Sequence, residues 1–197
     1  DIPDSWHWVK GEDLYQVIRG VTYKKSDVSE DPGKGTKPLL RSHNIQQDGI
    51  NTNKLVHVNK EVINKKQYIK KGDIIVAMSS GSENLVGKAA QVKENMTFSY
   101  GAFCAAIRPN SLDYSDYLGL LFQTPLYRKQ TAAAGRGINI RNLTVGTLNS
   151  MLFPIPPKPE QQTIINRVDK LMKLIDQLEA EKKERDEVRG KMAVSAF

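Results

Sequence analysis

The feature that most constrains this chain is the segment Phe153-Pro154-Ile155-Pro156-Pro157-Lys158-Pro159, which packs four of the nine prolines into seven residues. So few backbone donors make a segment stiff and extended. It divides two regimes. Residues 1–153 mix short apolar runs with Gly, Asn, Ser and Asp breakers, whereas residues 160–197 hold no proline and one glycine, Gly190. The organisation expected is a body over 1–153, a rigid joint over 154–159 and a helical element over 160–197.

Pro159 suits a first helical turn and Glu160 its dipole. Ile164, Val168, Leu171, Ile175 and Leu178 then follow at steps of four, three, four and three, the seam of a helix that packs lengthwise against another. Beyond Leu178 the positions in step are Lys182, Arg185 and Arg189, so the seam weakens. Such a rod is about 55 Å long at about 1.5 Å per residue, longer than a compact domain of this size covers. It should pair in a coiled coil.

In the body, Leu39 to Ile45, Asp73 to Met78, Lys88 to Val92 and Phe103 to Arg108 read as strands bounded by turn residues. Helices are expected from Ser115 toward Gln123, and from Thr124-Pro125, an N-cap and first-turn proline, to about Ala134, where Gly135 ends the run. The fold class is therefore α+β, a β-rich body with small helices followed by one long C-terminal helix.

The formal charge of +7 is unevenly placed: 20 basic and 14 acidic residues precede Lys158, against 9 and 8 from it onward. A basic body gains affinity for polyanions by releasing condensed counterions. Three clusters carry suitable donors: Arg19 with Tyr23, Lys24 and Lys25; Arg41 to Asn44, including His43; and the loop Gly135 to Asn142, with Arg136, Asn139, Arg141 and Asn142. Arginine reads guanine's major-groove edge and asparagine adenine's, while lysine and tyrosine hold phosphates. Ser79, Ser80 and Ser82, after an apolar strand, could add hydroxyls and backbone N–H groups. Asn and Gly also favour left-handed turns, and surface cations are commonplace, so each cluster has a structural alternative.

Catalytic signals are missing. No Phe-x-Gly-x-Gly loop or Asn-Pro-Pro-aromatic motif of a methyltransferase is present. Pro32-Gly33-Lys34-Gly35-Thr36 lacks the leading glycine of a phosphate loop, and Glu181-Lys182-Lys183 lies on the rod. His7, His43 and His57 stand apart, without metal-ligand spacing. Lone Cys104, in an apolar run, reads as a small core residue of a protein from the reducing cytoplasm. No run of about 18 apolar residues suggests a membrane span, and Asp1 to Lys10 has no secretion signal.

Phe153 to Gln162, with Ile164, Ile165, Val168, Leu171 and Asp176-Gln177-Leu178, resembles the specificity subunit of type I restriction-modification systems, where a target-recognition domain enters the helical conserved region. The resemblance extends to Thr124 to Arg128, to Gly135 to Leu148, and to Trp6 to Gly20. It implies sequence-specific recognition of double-stranded DNA by a non-catalytic subunit that directs methyltransferase and restriction subunits. Those partners would hold S-adenosylmethionine, ATP and magnesium; no cofactor is expected here. Family members usually carry two recognition domains and two antiparallel helices. This chain shows one of each, so it is expected to be the first half of a longer subunit or a half-length version that pairs with a second copy. The alternative is a coiled-coil assembly protein whose head does not bind DNA.

Overall fold

The computed structural model describes residues 2–29, 32–46, 49–80, 86–134 and 142–194. It divides into two compact units, Asp1–Pro156 and Pro157–Phe197.

The core of the first unit is a four-stranded antiparallel sheet in the order β2-β11-β8-β9, formed by β2 (Tyr15–Arg19), β11 (Cys104–Pro109), β8 (Ile74–Ala77) and β9 (Ala89–Gln91). Ile74 to Ala77 and Cys104 to Ile107 are wholly buried. Both faces of these central strands are therefore covered, which explains their unbroken apolar runs. Ile75, Ala90, Cys104 and Ala106 pack with Leu40, Ile45, Ile69, Val92 and Tyr100 in one cluster.

A second sheet, β10-β4-β7-β3, is built from β10 (Ser99–Tyr100), β4 (Thr36–Leu40), β7 (Val56–Asn59) and β3 (Val28–Ser29). Its β10–β4 pair is parallel. Leu39 and Val58 join Val21 and Ile63 in a further cluster. The run expected as one strand from Leu39 to Ile45 is broken after Leu40, because the Asn44 side chain accepts from the Arg41 N–H (2.9 Å) and closes a 3-10 turn over Ser42–Asn44. A local side-chain bond here displaces the ladder. The chain then resumes as the small pair β5 (Ile45–Gln46) and β6 (Gly49–Ile50).

β1 (His7–Lys10) pairs antiparallel with β12 (Leu152–Ile155), so Pro154 and Ile155, read from the sequence as part of a joint, form the last strand of the body. Proline is tolerated there because a two-stranded sheet offers only edges. Three short helices, α1 (Gly11–Leu14), α2 (Ser115–Leu121) and α3 (Pro125–Ala134), precede α4 (Val145–Ser150). Thr124 caps α3 by accepting from the Tyr127 N–H (3.3 Å). Thr144 caps α4 by accepting from the Thr147 N–H (3.0 Å). Phe122 links Tyr15, Tyr127 and Phe153 at centroid distances of 5.8, 4.7 and 5.5 Å.

Across the body, the Asp73 carboxylate accepts from Arg108 through Nε (2.9 Å) and Nη2 (2.7 Å), and from the Lys70 N–H (2.9 Å). Arg108 also donates to the Lys66 and Tyr68 carbonyls. Its bonds to Asp73 hold the guanidinium above its ordinary range.

The second unit is α5 (Lys158–Val194), 37 residues in one helix. It opens with the Glu160 and Gln161 N–H groups donating to Pro157 O, at 2.9 and 3.1 Å. On the expected seam, Ile164 and Val168 are half-buried, while Leu171, Ile175 and Leu178 are exposed. Among the described residues no helix is long and apolar enough to cross a membrane.

Candidate nucleic-acid interface

Four of the sequence segments singled out as DNA-contact candidates meet at one rim, and the antiparallel register explains why. Arg19 ends β2 opposite Ala105, and Ala77 ends β8 opposite Cys104, so both strands finish where β11 begins. β4 finishes at the same place, since the Gly101 N–H donates to Leu40 O (2.8 Å). Cys104 N–H donates to Gly101 O (2.8 Å), closing the turn Gly101–Cys104 that feeds β11.

This turn is the hub of the rim. Gly20 N–H donates to Cys104 O (3.0 Å) and Val21 N–H to Tyr100 O (2.7 Å). The approach is so close that a Cβ on Gly20 would collide with the Gly101 carbonyl, a case where only glycine fits. It seats Arg19 beside the turn, its Nη2 donating to Ala102 O (3.3 Å). The Phe103 carbonyl accepts from the N–H groups of Met78 (2.8 Å) and Ser79 (3.1 Å) and from Ser42 Oγ (3.4 Å). Ser42 Oγ also donates to Ser79 O (2.8 Å). Ser79 forms an isolated antiparallel bridge with Asn142, next to a Leu143 N–H bond to Met78 O (2.6 Å).

Arg19, Lys24, Lys25, Arg41, His43 and Asn142 are exposed, and Tyr23 is half-buried against the Val21, Leu39, Val58 and Ile63 cluster. Lys24 and Lys25 are displayed by a turn in which Asp27 Oδ2 accepts from the Lys24 N–H (2.7 Å). Burial first, then Arg41 and Lys54, pushes the His43 imidazole below its usual value.

Two expectations are corrected. Asn44 is 1% exposed, and its Nδ2 donates to the Asn51 (2.8 Å) and Asn53 (3.1 Å) carbonyls. With Oδ1 held by the Arg41 N–H, that amide is committed to bracing the β5–β6 segment and has no edge left for a base. The Ser79 N–H is likewise consumed by Phe103 O, so it offers no free donor to a phosphate. Ser79 and Ser80 are both half-buried. Ser82, Arg136, Asn139 and Arg141 lie outside the described residues.

The rim also holds residues that sequence reasoning missed. Phe103 is 67% exposed at the centre of the turn; in the sequence it is one more apolar residue of a strand. Gln67 Nε2 donates to Arg19 O (3.0 Å), which places the turn Lys65–Gln67, with exposed Lys65 and Lys66, beside Arg19. The signal was available, since residues 54–71 contain six lysines and a single acid, Glu61. Among the described residues none of the six forms an ion pair. Beyond His43, the amides of Gln46, Asn51 and Asn53 line a concavity of about 270 Å³ with Gly49 and Ile50.

This chemistry suits binding of a polyanion: cations, amides and hydroxyls on a fixed frame. Cys104 is buried, and burial pushes its thiol up to about 12, far from a nucleophile's range. Among the described residues no cluster of three or more His, Cys, Asp or Glu could hold a metal ion.

A family model described as the type I restriction modification DNA specificity domain matches residues 3–187. The type I restriction enzyme EcoKI specificity subunit of Escherichia coli (strain K12) is 35% identical over 179 residues, 91% of this chain and 39% of that protein. The StySPI specificity subunit of Salmonella potsdam is 33% identical over the same shares. This chain thus spans about two-fifths of the length of these relatives. The crystal structure of the HsdS subunit from Thermoanaerobacter tengcongensis shares the fold with a TM-score of 0.65 at 18% identity, over 90% of this chain and 45% of that one.

Proposed function

The chain belongs to the type I restriction modification DNA specificity family, and from that premise we propose that its body reads one part of a double-stranded DNA target while its helix joins a second helix and the catalytic partners. The observation that carries this is the convergence of Arg19, Arg41, His43 and Asn142 around the Gly101–Cys104 turn. Separated in sequence by up to 123 positions, they make one contiguous set of groups for base edges and phosphates. Lys24, Lys25, Lys65 and Lys66 flank Arg19 as phosphate contacts.

On this reading the chain performs no chemistry. Methylation with S-adenosylmethionine, ATP-driven movement and magnesium-dependent cleavage belong to methyltransferase and restriction subunits, and none of those cofactors binds here. Leu171, Ile175 and Leu178, at 59%, 46% and 63% exposure, are the seam for the second helix. Covering each contributes on the order of 1.5–3 kcal/mol when complete, which supports pairing with another conserved-region helix.

The test is co-expression with a methyltransferase subunit followed by mapping of modified adenines, together with a salt-dependent gel shift on duplexes. Adenines modified within one recurrent sequence, and affinity falling on the order of 10³-fold between 50 and 200 mM salt for about six phosphate contacts, support the proposal. Neutralising Lys24 and Lys25 should weaken cognate and scrambled duplexes alike, whereas Arg136→Ala or Arg141→Ala should reduce discrimination between them. Absence of any salt-dependent shift would favour a coiled-coil scaffold with a non-binding head.

A further inference from the structure

We propose that Phe103 is a specificity-determining residue, its ring making apolar contact with the 5-methyl group of a thymine in the major groove of the target. This inference rests on the reading of the body as a DNA-recognition domain and adds a base-level role to one residue of the rim.

An aromatic side chain exposed to 67% is not by itself informative, since single apolar residues are common on surfaces. Leu112 is 68% exposed too. The two differ in surroundings. Leu112 lies beyond the far end of β11, near Gly72. Phe103 lies at the near end, inside the rim made by residues 19–25, 41–44, 78–80, 101–104 and 142–143. Those five segments contain four permanent cations, Arg19, Lys24, Lys25 and Arg41, and no Asp or Glu. A protein partner for an exposed ring is an apolar surface; a net cationic surround, with Asp27 bonded to the Lys24 N–H just outside these segments, matches a phosphate-flanked groove.

The backbone at Phe103 is also fixed to an unusual degree for a turn. Its carbonyl takes donors from Met78, Ser79 and Ser42, its neighbour Ala102 holds Arg19, and the next residue enters the buried core strand. A ring on so rigid a mount gives up little freedom on binding. Beside it, Ser79 bridges to Asn142, whose exposed amide has the donor and acceptor pair that matches adenine N7 and N6. An A·T pair shows the adenine edge and the thymine methyl side by side in the major groove. An asparagine and a phenylalanine whose backbones are tied through one serine supply the two residue types that such a pair calls for.

The experiment uses the full chain in complex with its methyltransferase subunit, on a duplex taken from the mapped modification site. Each thymine is replaced in turn by deoxyuridine, which removes the methyl group and nothing else. The expected result is a loss of affinity of about fourfold at one position, the weight of one buried methyl group at about 0.8 kcal/mol. With Phe103→Ala the same replacement should cost nothing further, Phe103→Leu should retain part of the discrimination, and Leu112→Ala should behave as wild type. Wild-type indifference to every thymine-to-deoxyuridine change overturns the inference, as does a penalty that survives in Phe103→Ala. A Phe103-dependent rise in 2-aminopurine fluorescence at the site would make the ring an unstacking wedge and also overturn it. So would loss of the methyltransferase subunit from Phe103→Ala complexes with the methyl penalty intact. If the wild-type complex shows no sequence selectivity at all, the underlying reading of the body fails instead.

Discussion

Replacing Asn44 by alanine separates bracing from base reading, because the structure assigns every polar atom of that side chain to the fold. The substitution deletes an acceptor for Arg41 N–H at 2.9 Å and two donors, to Asn51 O at 2.8 Å and Asn53 O at 3.1 Å. A hydrogen bond of this kind contributes about 1 kcal/mol net. Asn51 and Asn53 are exposed, so water can take up part of what their carbonyls lose. The expected cost is about 2–3 kcal/mol, a large part of the roughly 5–15 kcal/mol that holds a domain folded. Asn44→Asp should cost at least as much, since a carboxylate oxygen would then face those two carbonyls. Urea unfolding of the full chain, followed by the fluorescence of Trp6 and Trp8, gives the stability. Gel shifts on cognate and scrambled duplexes at a temperature where the variant is folded give the binding. Affinity should fall on both duplexes together, as the displaced β5–β6 segment moves Arg41 and His43. A variant within about 0.5 kcal/mol of wild type that had lost discrimination would refute the argument and return the amide to the set of base readers.

Arg108→Met should destabilise the body by about 3–5 kcal/mol, since it leaves the Asp73 carboxylate, 1% exposed, without its charged partner; a loss under about 1 kcal/mol in denaturant melts would count against this. Tyr127→Phe removes a buried hydroxyl that has no hydrogen-bond partner among the described residues, so stability should be unchanged or rise by up to about 1 kcal/mol; a drop in melting temperature would reveal a partner. His43 is held below its usual value by burial, then by Arg41 and Lys54, so in the free protein its ring takes up a proton less readily than an ordinary imidazole. DNA phosphates would oppose those two cations and favour the protonated ring, so binding should tighten as pH falls from 7.5 to 5.5. His43→Ala, followed by fluorescence anisotropy, should flatten that slope, and an unchanged slope would remove His43 from the interface.

How much of this was legible in the sequence differs from element to element. Periodicity and cap residues are local, so α3 from its Thr124 cap, the buried strands around Ile75 and Ala106, and the long helix after Pro159 could all be read directly. The strand expected through Ile45 could not, because a bond within four residues, Asn44 to Arg41, outcompeted a ladder that apolar content alone suggested. The site candidates divide the same way. Residue type nominated Arg19, Arg41 and Asn142 one by one, yet type alone could not separate Arg41, which is exposed, from Asn44, whose amide is spent on three backbone groups.

Charge distribution, the proline-dense boundary and the apolar seam were properties of the sequence by itself, since each follows from which residues occur and at what spacing. That a basic body precedes a long helix with an apolar seam was therefore legible in the sequence. Only the tertiary structure decided which candidates share a surface. The antiparallel register of β2, β8 and β11 brings Arg19, Ser79 and Phe103 to one end of a sheet, and the Gly20–Gly101 approach locks them there. Register depends on pairings between segments tens of residues apart, and no local pattern encodes where two such strands end together.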